Sequence, residues 1–173
     1  MDYKNLIRTI PDWPSAGVSF KDITPVLADA KAFRQAIDDM CEPYLDAGIT
    51  KVFGAEARGF FFGTTMAYKL GAGFVPARKA GKLPYVTVGE EYSLEYGKAI
   101  IEVHKDDVTS DDRILIVDDV LATGGTAAAK AHLIEKLGAT LVGYSFFIEL
   151  DFLNGREQLE SNDVPIHSLV NYQ

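Results

Sequence analysis

The segment Ile114-Leu115-Ile116-Val117-Asp118-Asp119-Val120-Leu121-Ala122-Thr123-Gly124-Gly125-Thr126 constrains this chain more than any other stretch. Its leading apolar residues, with Ile114, Ile116 and Val117 β-branched, read as a strand buried on both faces, the habit of a parallel sheet. Two adjacent aspartates end the apolar run. Ala-Thr-Gly-Gly-Thr follows, and the alanine-rich stretch 127–137 reads as a helix. A strand, a glycine-bearing loop and a helix in that order aim backbone N–H groups at an anion. The glycines permit a tight turn and close approach to a ligand, while Thr123 and Thr126 add hydroxyl donors.

Two commoner phosphate loops are absent. A Walker A loop needs Gly-Lys-Ser/Thr, and a dinucleotide fingerprint needs Gly-x-Gly-x-x-Gly; neither pattern occurs at this position. Carboxylates beside a phosphate would repel it, so Asp118 and Asp119 need another task. Such a pair caps the following turn, accepts hydrogen bonds from paired hydroxyls, or holds Mg²⁺. A phosphate carried on a ribose supplies those hydroxyls, so the segment suggests a 5-phosphoribosyl group.

At 173 residues the chain is expected to form a single domain over 1–173 with a sizeable core. With 47% hydrophobic and 24% charged residues it is not a disordered chain. Its 25 acids against 17 bases give a net charge of −8, which argues against nucleic acid as a partner. The single Cys41 excludes an internal disulfide and fits a reducing compartment. No membrane-spanning run and no signal peptide are recognisable, so the expected setting is cytoplasmic.

Strands and helices alternate along the chain, which predicts a doubly wound α/β fold. Asp29 is placed to N-cap a helix carrying Phe33, Ile37, Met40, Cys41, Tyr44 and Leu45, with Pro43 expected to kink or end it. Residues 51–54 form a strand, Glu56-Ala57-Arg58-Gly59 a charged loop, and 60–70 a helix. Arg58 is either a surface ion-pair partner of Glu56 or a fork for phosphate or a purine edge. Its place after a strand favours the second reading. A strand over 74–78 leads to Arg78, Lys79 and Lys82, a local basic cluster in an acidic chain. Residues 85–96 read as a mobile β-ribbon loop closing over the site. Strands are expected over 98–104, 140–150 and 164–170, with His104 on a strand face.

Taken together, the 114–126 segment and several further blocks resemble type I phosphoribosyltransferases, and specifically their adenine-using family. The further blocks are Gly17-Val18-Ser19-Phe20-Lys21-Asp22-Ile23, Glu56-Ala57-Arg58-Gly59-Phe60, Arg78-Lys79-Ala80-Gly81-Lys82-Leu83-Pro84, Tyr92-Ser93-Leu94-Glu95-Tyr96-Gly97, and Glu149-Leu150 with Gly155-Arg156. The resemblance implies a five-stranded parallel sheet flanked by helices, a small hood mainly from 1–30 and a flexible loop at about 79–97. It implies transfer of a phosphoribosyl group from 5-phosphoribosyl-1-pyrophosphate to adenine, giving AMP and pyrophosphate, with Mg²⁺ held mainly through the substrate pyrophosphate and no direct protein ligand. It also implies a homodimer. The alternatives are transfer to another purine base and a non-catalytic regulator that senses phosphoribosyl pyrophosphate.

The same resemblance assigns roles. Phe20 stacks on adenine while Val18 and Lys21 read its edge, and Arg58 approaches the purine. Glu56, Ala57 and Arg58 form a pyrophosphate loop with a non-proline cis peptide, joined by Arg78, Lys79, Lys82 and Tyr96. Asp118 and Asp119 take the ribose hydroxyls, and Ala122, Thr123, Gly124, Gly125 and Thr126 hold the 5-phosphate. Glu95 is the expected general acid/base, because adenine loses a proton as its ring nitrogen attacks the ribose carbon. Arg58 is its catalytic companion.

Overall fold

The computed structural model describes residues 1–93 and 98–173, Ser93 by its backbone alone. Two compact units divide the chain, Met1–Asp39 and Met40–Gln173.

In the first unit, β1 (Arg8–Ile10) pairs antiparallel with β2 (Phe20–Asp22), in the register Ile10 opposite Phe20. A short helix α1 (Thr24–Ala28) follows, started by Pro25, whose fixed φ and missing N–H suit a first helical turn. Asp29 Oδ1 then accepts the amides of Lys31 and Ala32 at 2.9 and 2.8 Å, the N-cap expected of it, and opens α2 (Ala30–Cys41). The helix stops at Cys41, where Pro43 turns the chain into a 3₁₀ turn over Glu42–Tyr44. The Tyr3 hydroxyl donates to Asp39 Oδ2 at 2.6 Å and ties the unit's two ends together.

The second unit is built on β3 (Lys51–Ala55), α3 (Gly59–Leu70), β4 (Gly73–Lys79), β5 (Thr87–Ser93), β6 (Lys98–His104), β7 (Arg113–Leu121), α4 (Gly125–Lys136), β8 (Thr140–Leu150) and β9 (Ile166–Tyr172). The strand order is β5-β6-β4-β3-β7-β8-β9. The run from β4 to β9 is parallel, as expected, but the sheet has seven strands rather than five. Of the two additional strands, β6 is the strand expected over 98–104, and β5 falls within the 85–96 stretch expected as a β-ribbon loop. Thr87 to Ser93 pairs antiparallel with Lys98 to His104, and β6 then pairs with the end of β4. Val88, Tyr92, Ile101 and Val103 supply apolar side chains that pack on the core, so the ribbon continues the sheet.

Strand β7 also runs further than its apolar residues suggest. It continues through Asp118 and Asp119 to Leu121, with Asp118 opposite Phe146 and Leu121 opposite Glu149 on β8. The two aspartates therefore belong to the sheet and inherit its rigidity.

The chain leaves β3 for β4 on one side, and later leaves β7 for β8 on the other. Right-handed crossovers in opposite directions place α3 and α4 on opposite faces. Adjacent residues of β8 confirm the division. Phe146 belongs to the cluster containing Leu133 and Ile134 of α4. Phe147 stacks on Phe62 of α3, with centroids 5.0 Å apart. Both phenylalanines of that stack are fully buried. Phe147→Ala should therefore cost about 3–5 kcal/mol of unfolding free energy, measured by urea titration, through lost transfer energy and an unfilled cavity.

Candidate active site

The crevice between β3 and β7 is where the strand order changes direction, the position at which open α/β sheets bind ligands. Each of the two strands ends there in charge: β3 runs into Glu56, Ala57 and Arg58, and β7 carries Asp118 and Asp119.

The Glu56–Ala57 peptide is cis, as the family resemblance implies. Glu56 is turned toward β4. Its Oε2 accepts Arg78 Nε and Nη2 at 3.1 and 2.8 Å, and its Oε1 accepts the Lys79 amide at 2.8 Å. Arg78 Nη1 also donates to the Lys82 carbonyl at 3.2 Å, which shapes the basic turn. Burial opposes ionisation of Glu56, but the Lys79 amide and the Arg78 guanidinium outweigh it and hold the carboxyl below its ordinary range. Glu56 thus organises Arg78 and Lys79, and its negative charge is matched locally. Lys79 and Lys82 are exposed.

Across the crevice, Arg58 Nε lies 2.6 Å from Asp119 Oδ2. The contact is a charge pair without a directed hydrogen bond, for this buried oxygen has no hydrogen-bond partner. A buried carboxylate oxygen in that condition is suited to accept a ligand hydroxyl. Asp118 is differently placed. Its Oδ2 accepts Lys130 Nζ at 2.8 Å, and its Oδ1 accepts the Asp119 amide at 3.1 Å. Gly59, at the start of α3, packs so closely on this carboxylate that a Cβ there would overlap Oδ1.

The loop from Ala122 to Gly125 delivers the N-terminus of α4. Gly124 caps the helix with φ +85°, a left-handed conformation that favours glycine. A cleft of about 70 Å³ lies over this turn, lined by Asp118, residues 120–127 and Phe146. Amides at a helix start and the Thr123 and Thr126 hydroxyls suit it to a phosphate dianion.

Two residues outside the expected set complete the arrangement. Gly155 lies against the loop so tightly that a Cβ on it would overlap the Ala122 carbonyl, and one on Gly124 would press on the Gly155 carbonyl. Its own segment is held by Arg156, whose Nε and Nη2 fork onto the buried Glu149 at 2.9 and 2.5 Å. Lys130, fully buried, is the other. Its surroundings in sequence are alanines, and nothing local distinguishes it from a surface lysine.

Val18, Phe20 and Lys21 lie in the first unit. Trp13 contacts the Phe20 ring edge-on, with centroids 4.4 Å apart, and Lys21 Nζ reaches Thr9 Oγ1 and Ser19 Oγ, each at 3.2 Å. Glu95 and Tyr96 lie outside the described residues.

The phosphoribosyl transferase domain family matches residues 23–167. An adenine phosphoribosyltransferase of Maricaulis maris is 52% identical over 173 residues, covering 100% of this chain and 99% of that protein. The chain belongs to the adenine phosphoribosyltransferase family. The crystal structure of the Rhodothermus marinus adenine phosphoribosyltransferase superposes with a TM-score of 0.94 at 51% identity, covering 98% of this chain and 96% of that one. The Saccharomyces cerevisiae adenine phosphoribosyltransferase, solved with D-2,5-dideoxy-2,5-imino-altritol 1,6-bisphosphate and adenine, gives a TM-score of 0.90 at 40% identity, covering 97% and 96%.

Titration of the acid pair follows from its burial. Loss of solvent pushes Asp119 up to about 7, the Asp118 charge adds to the shift, and Arg58 opposes it. The folded, ligand-free protein therefore binds this proton more tightly than the unfolded chain does. The resulting stabilisation is full below the ordinary aspartate value of about 4 and is lost as pH rises to about 7, with a slope of up to about 1.4 kcal/mol per pH unit. Urea unfolding across this window should show that decline, and Asp119→Asn should flatten it; an equal slope in the variant would place the titration elsewhere.

Proposed function

We propose that the chain catalyses transfer of the 5-phosphoribosyl group from 5-phosphoribosyl-1-pyrophosphate to adenine, releasing AMP and pyrophosphate. The observation that carries this reading is the junction at one sheet crevice of an anion-binding helix start, a buried acceptor on Asp119 and the Arg58 guanidinium. A phosphate, a pair of ribose hydroxyls and a second anionic group, carried on one molecule, match those three features in charge and hydrogen-bonding character. Membership of the adenine phosphoribosyltransferase family supplies the base.

In this reading the 5-phosphate sits on the amides of Ala122, Thr123, Gly124, Gly125 and Thr126. The ribose hydroxyls donate to the Asp118–Asp119 pair, with Asp119 Oδ2 the principal acceptor. Pyrophosphate lies along the Glu56–Ala57–Arg58 loop, where the Ala57 backbone, Arg58 and Lys79 face it and Glu56 keeps Arg78 in place. Lys82 and Tyr96 complete this part of the site. Phe20 stacks on the base, with Val18 and Lys21 at its edge.

The base nitrogen forms its bond to the ribose carbon as the bond to pyrophosphate breaks, so positive charge grows on the sugar and negative charge on the leaving group. Preorganised amides and guanidinium groups stabilise the latter without reorganising. The proton released by adenine passes to Glu95. Mg²⁺, when bound, neutralises the pyrophosphate. In this reading the ion arrives with the substrate and keeps most of its waters. Asp119 is the carboxylate that would receive one of those waters. The family reading also carries a homodimer and a cytoplasmic setting; no helix among the described residues is long and apolar enough to cross a membrane.

A panel of purine bases with phosphoribosyl pyrophosphate and Mg²⁺, followed chromatographically, should give AMP from adenine. Product from hypoxanthine or guanine with none from adenine would overturn the choice of base. Glu95→Gln should lower kcat by about a hundredfold with little change in substrate affinity, since a general acid/base acts in the transition state. Unchanged turnover would remove Glu95 from that role.

A further inference from the structure

Lys130 is the largest charged side chain wholly removed from solvent among the described residues, and no step of the proposed reaction uses it. It stands on α4, the helix whose first residues form the phosphate cleft, and its side chain turns back toward that helix start, the direction helical side chains take. There Nζ meets Asp118 Oδ2 at 2.8 Å. Asp118 belongs to β7, so the contact crosses from the helix to the strand it follows. The other Asp118 oxygen takes the Asp119 amide and is packed by Gly59 at the start of α3. Both oxygens of Asp118 are therefore committed within the protein, whereas Asp119 keeps one without a hydrogen-bond partner.

We propose that Lys130 is a positioning residue that braces the phosphate-binding helix against the acid pair, setting the separation between the 5-phosphate and ribose-hydroxyl subsites. The proposal rests on the phosphoribosyl reading of the site. Asp118 then serves mainly as the anchored end of the brace, and Asp119 as the acceptor facing the ligand. An ammonium in this position is effective because it is desolvated, so its pairing with Asp118 is not exchanged for water. A molecule that spans both subsites depends on the brace. One that fills the phosphate cleft alone does not.

The test compares binding of ribose 5-phosphate and of inorganic phosphate, by calorimetry, to the wild type and to Lys130→Met, which keeps the side chain's length and removes its charge. Ribose 5-phosphate should bind about tenfold or more weakly to the variant, with phosphate binding nearly unchanged, because breaking a buried pair frees only the acid side of the site. KM for phosphoribosyl pyrophosphate should rise in the same way while KM for adenine holds. Lys130→Gln, whose amide still donates to a carboxylate, should recover part of the ribose 5-phosphate affinity. It also carries the comparison if the methionine variant does not fold. Equal weakening toward both ligands with no recovery by glutamine would reduce Lys130 to a structural role, and unchanged ribose 5-phosphate binding would remove the brace altogether. A wild-type protein that binds ribose 5-phosphate no better than phosphate would instead overturn the phosphoribosyl reading itself.

Discussion

Two carboxylates at the buried end of a central strand set the terms for everything around them. β7 is shielded on both faces, so Asp118 and Asp119 enter a region where an unmatched charge is costly. Each acquires its own cation from a different element: Lys130 from α4 for Asp118, and Arg58 from the start of α3 for Asp119. Strand, both helices and the β3–β7 crevice are thereby joined at one point. The same logic recurs a strand away, where Glu56 takes Arg78, and at the end of β8, where Glu149 takes Arg156. In each case a carboxylate at the C-terminal end of a parallel strand, or just beyond it, holds a basic side chain that shapes the next loop.

The loops so held share the work differently. The phosphate turn relies on backbone geometry: Gly124 in a left-handed conformation, and Gly155 admitting contact with the Ala122 carbonyl because neither glycine carries a Cβ. The Arg156–Glu149 fork fixes the segment containing Gly155, so a pair at the edge of β8 supports a turn after β7. The basic turn of 78–82 relies on side chains, with Arg78 held between Glu56 and the Lys82 carbonyl. In the proposed reaction, a 5-phosphate that must be located accurately would meet amides, and the more extended pyrophosphate would meet side chains able to follow it.

What could be read from sequence tracks how local its cause is. The apolar run 114–117, the glycine turn and the α4 helix are each specified within a few residues, and all are present. The parallel core followed from their alternation. The aspartates look like strand terminators because carboxylates are rare inside sheets. Their continuation to Leu121 depends on pairing with β8 and on cations distant in sequence. The strand over 98–104 is legible from its alternation, whereas β5 reads as a β-ribbon loop because its apolar residues are scattered, and it becomes sheet by pairing with β6 at the edge of β4. Lys130 is the clearest case. A lysine among alanines carries no sign of burial, since burial requires Asp118 twelve residues earlier, on another element. Gly155 is visible in the family resemblance, but its contact with the phosphate turn is not, being defined by what touches it.

The acid pair also explains why a polyanionic substrate can be accommodated beside carboxylates. Before substrate enters, Asp118 is matched by Lys130, and Asp119 is close to neutral conditions for protonation because of its burial. The crevice therefore presents less negative charge than its two aspartates suggest. Arg58 touches Asp119 through a charge contact lacking a directed hydrogen bond, the weaker kind of attachment. In the proposed reaction, ribose hydroxyls supply Asp119 with the donors it lacks while Arg58 turns its guanidinium to the pyrophosphate. The substrate thus replaces one imperfect pairing with two complementary ones. On that proposal the exchange requires the sugar and the pyrophosphate together, so neither a free sugar nor pyrophosphate alone would satisfy both residues, and discrimination in favour of the intact donor would follow from the pairing of Arg58 with Asp119.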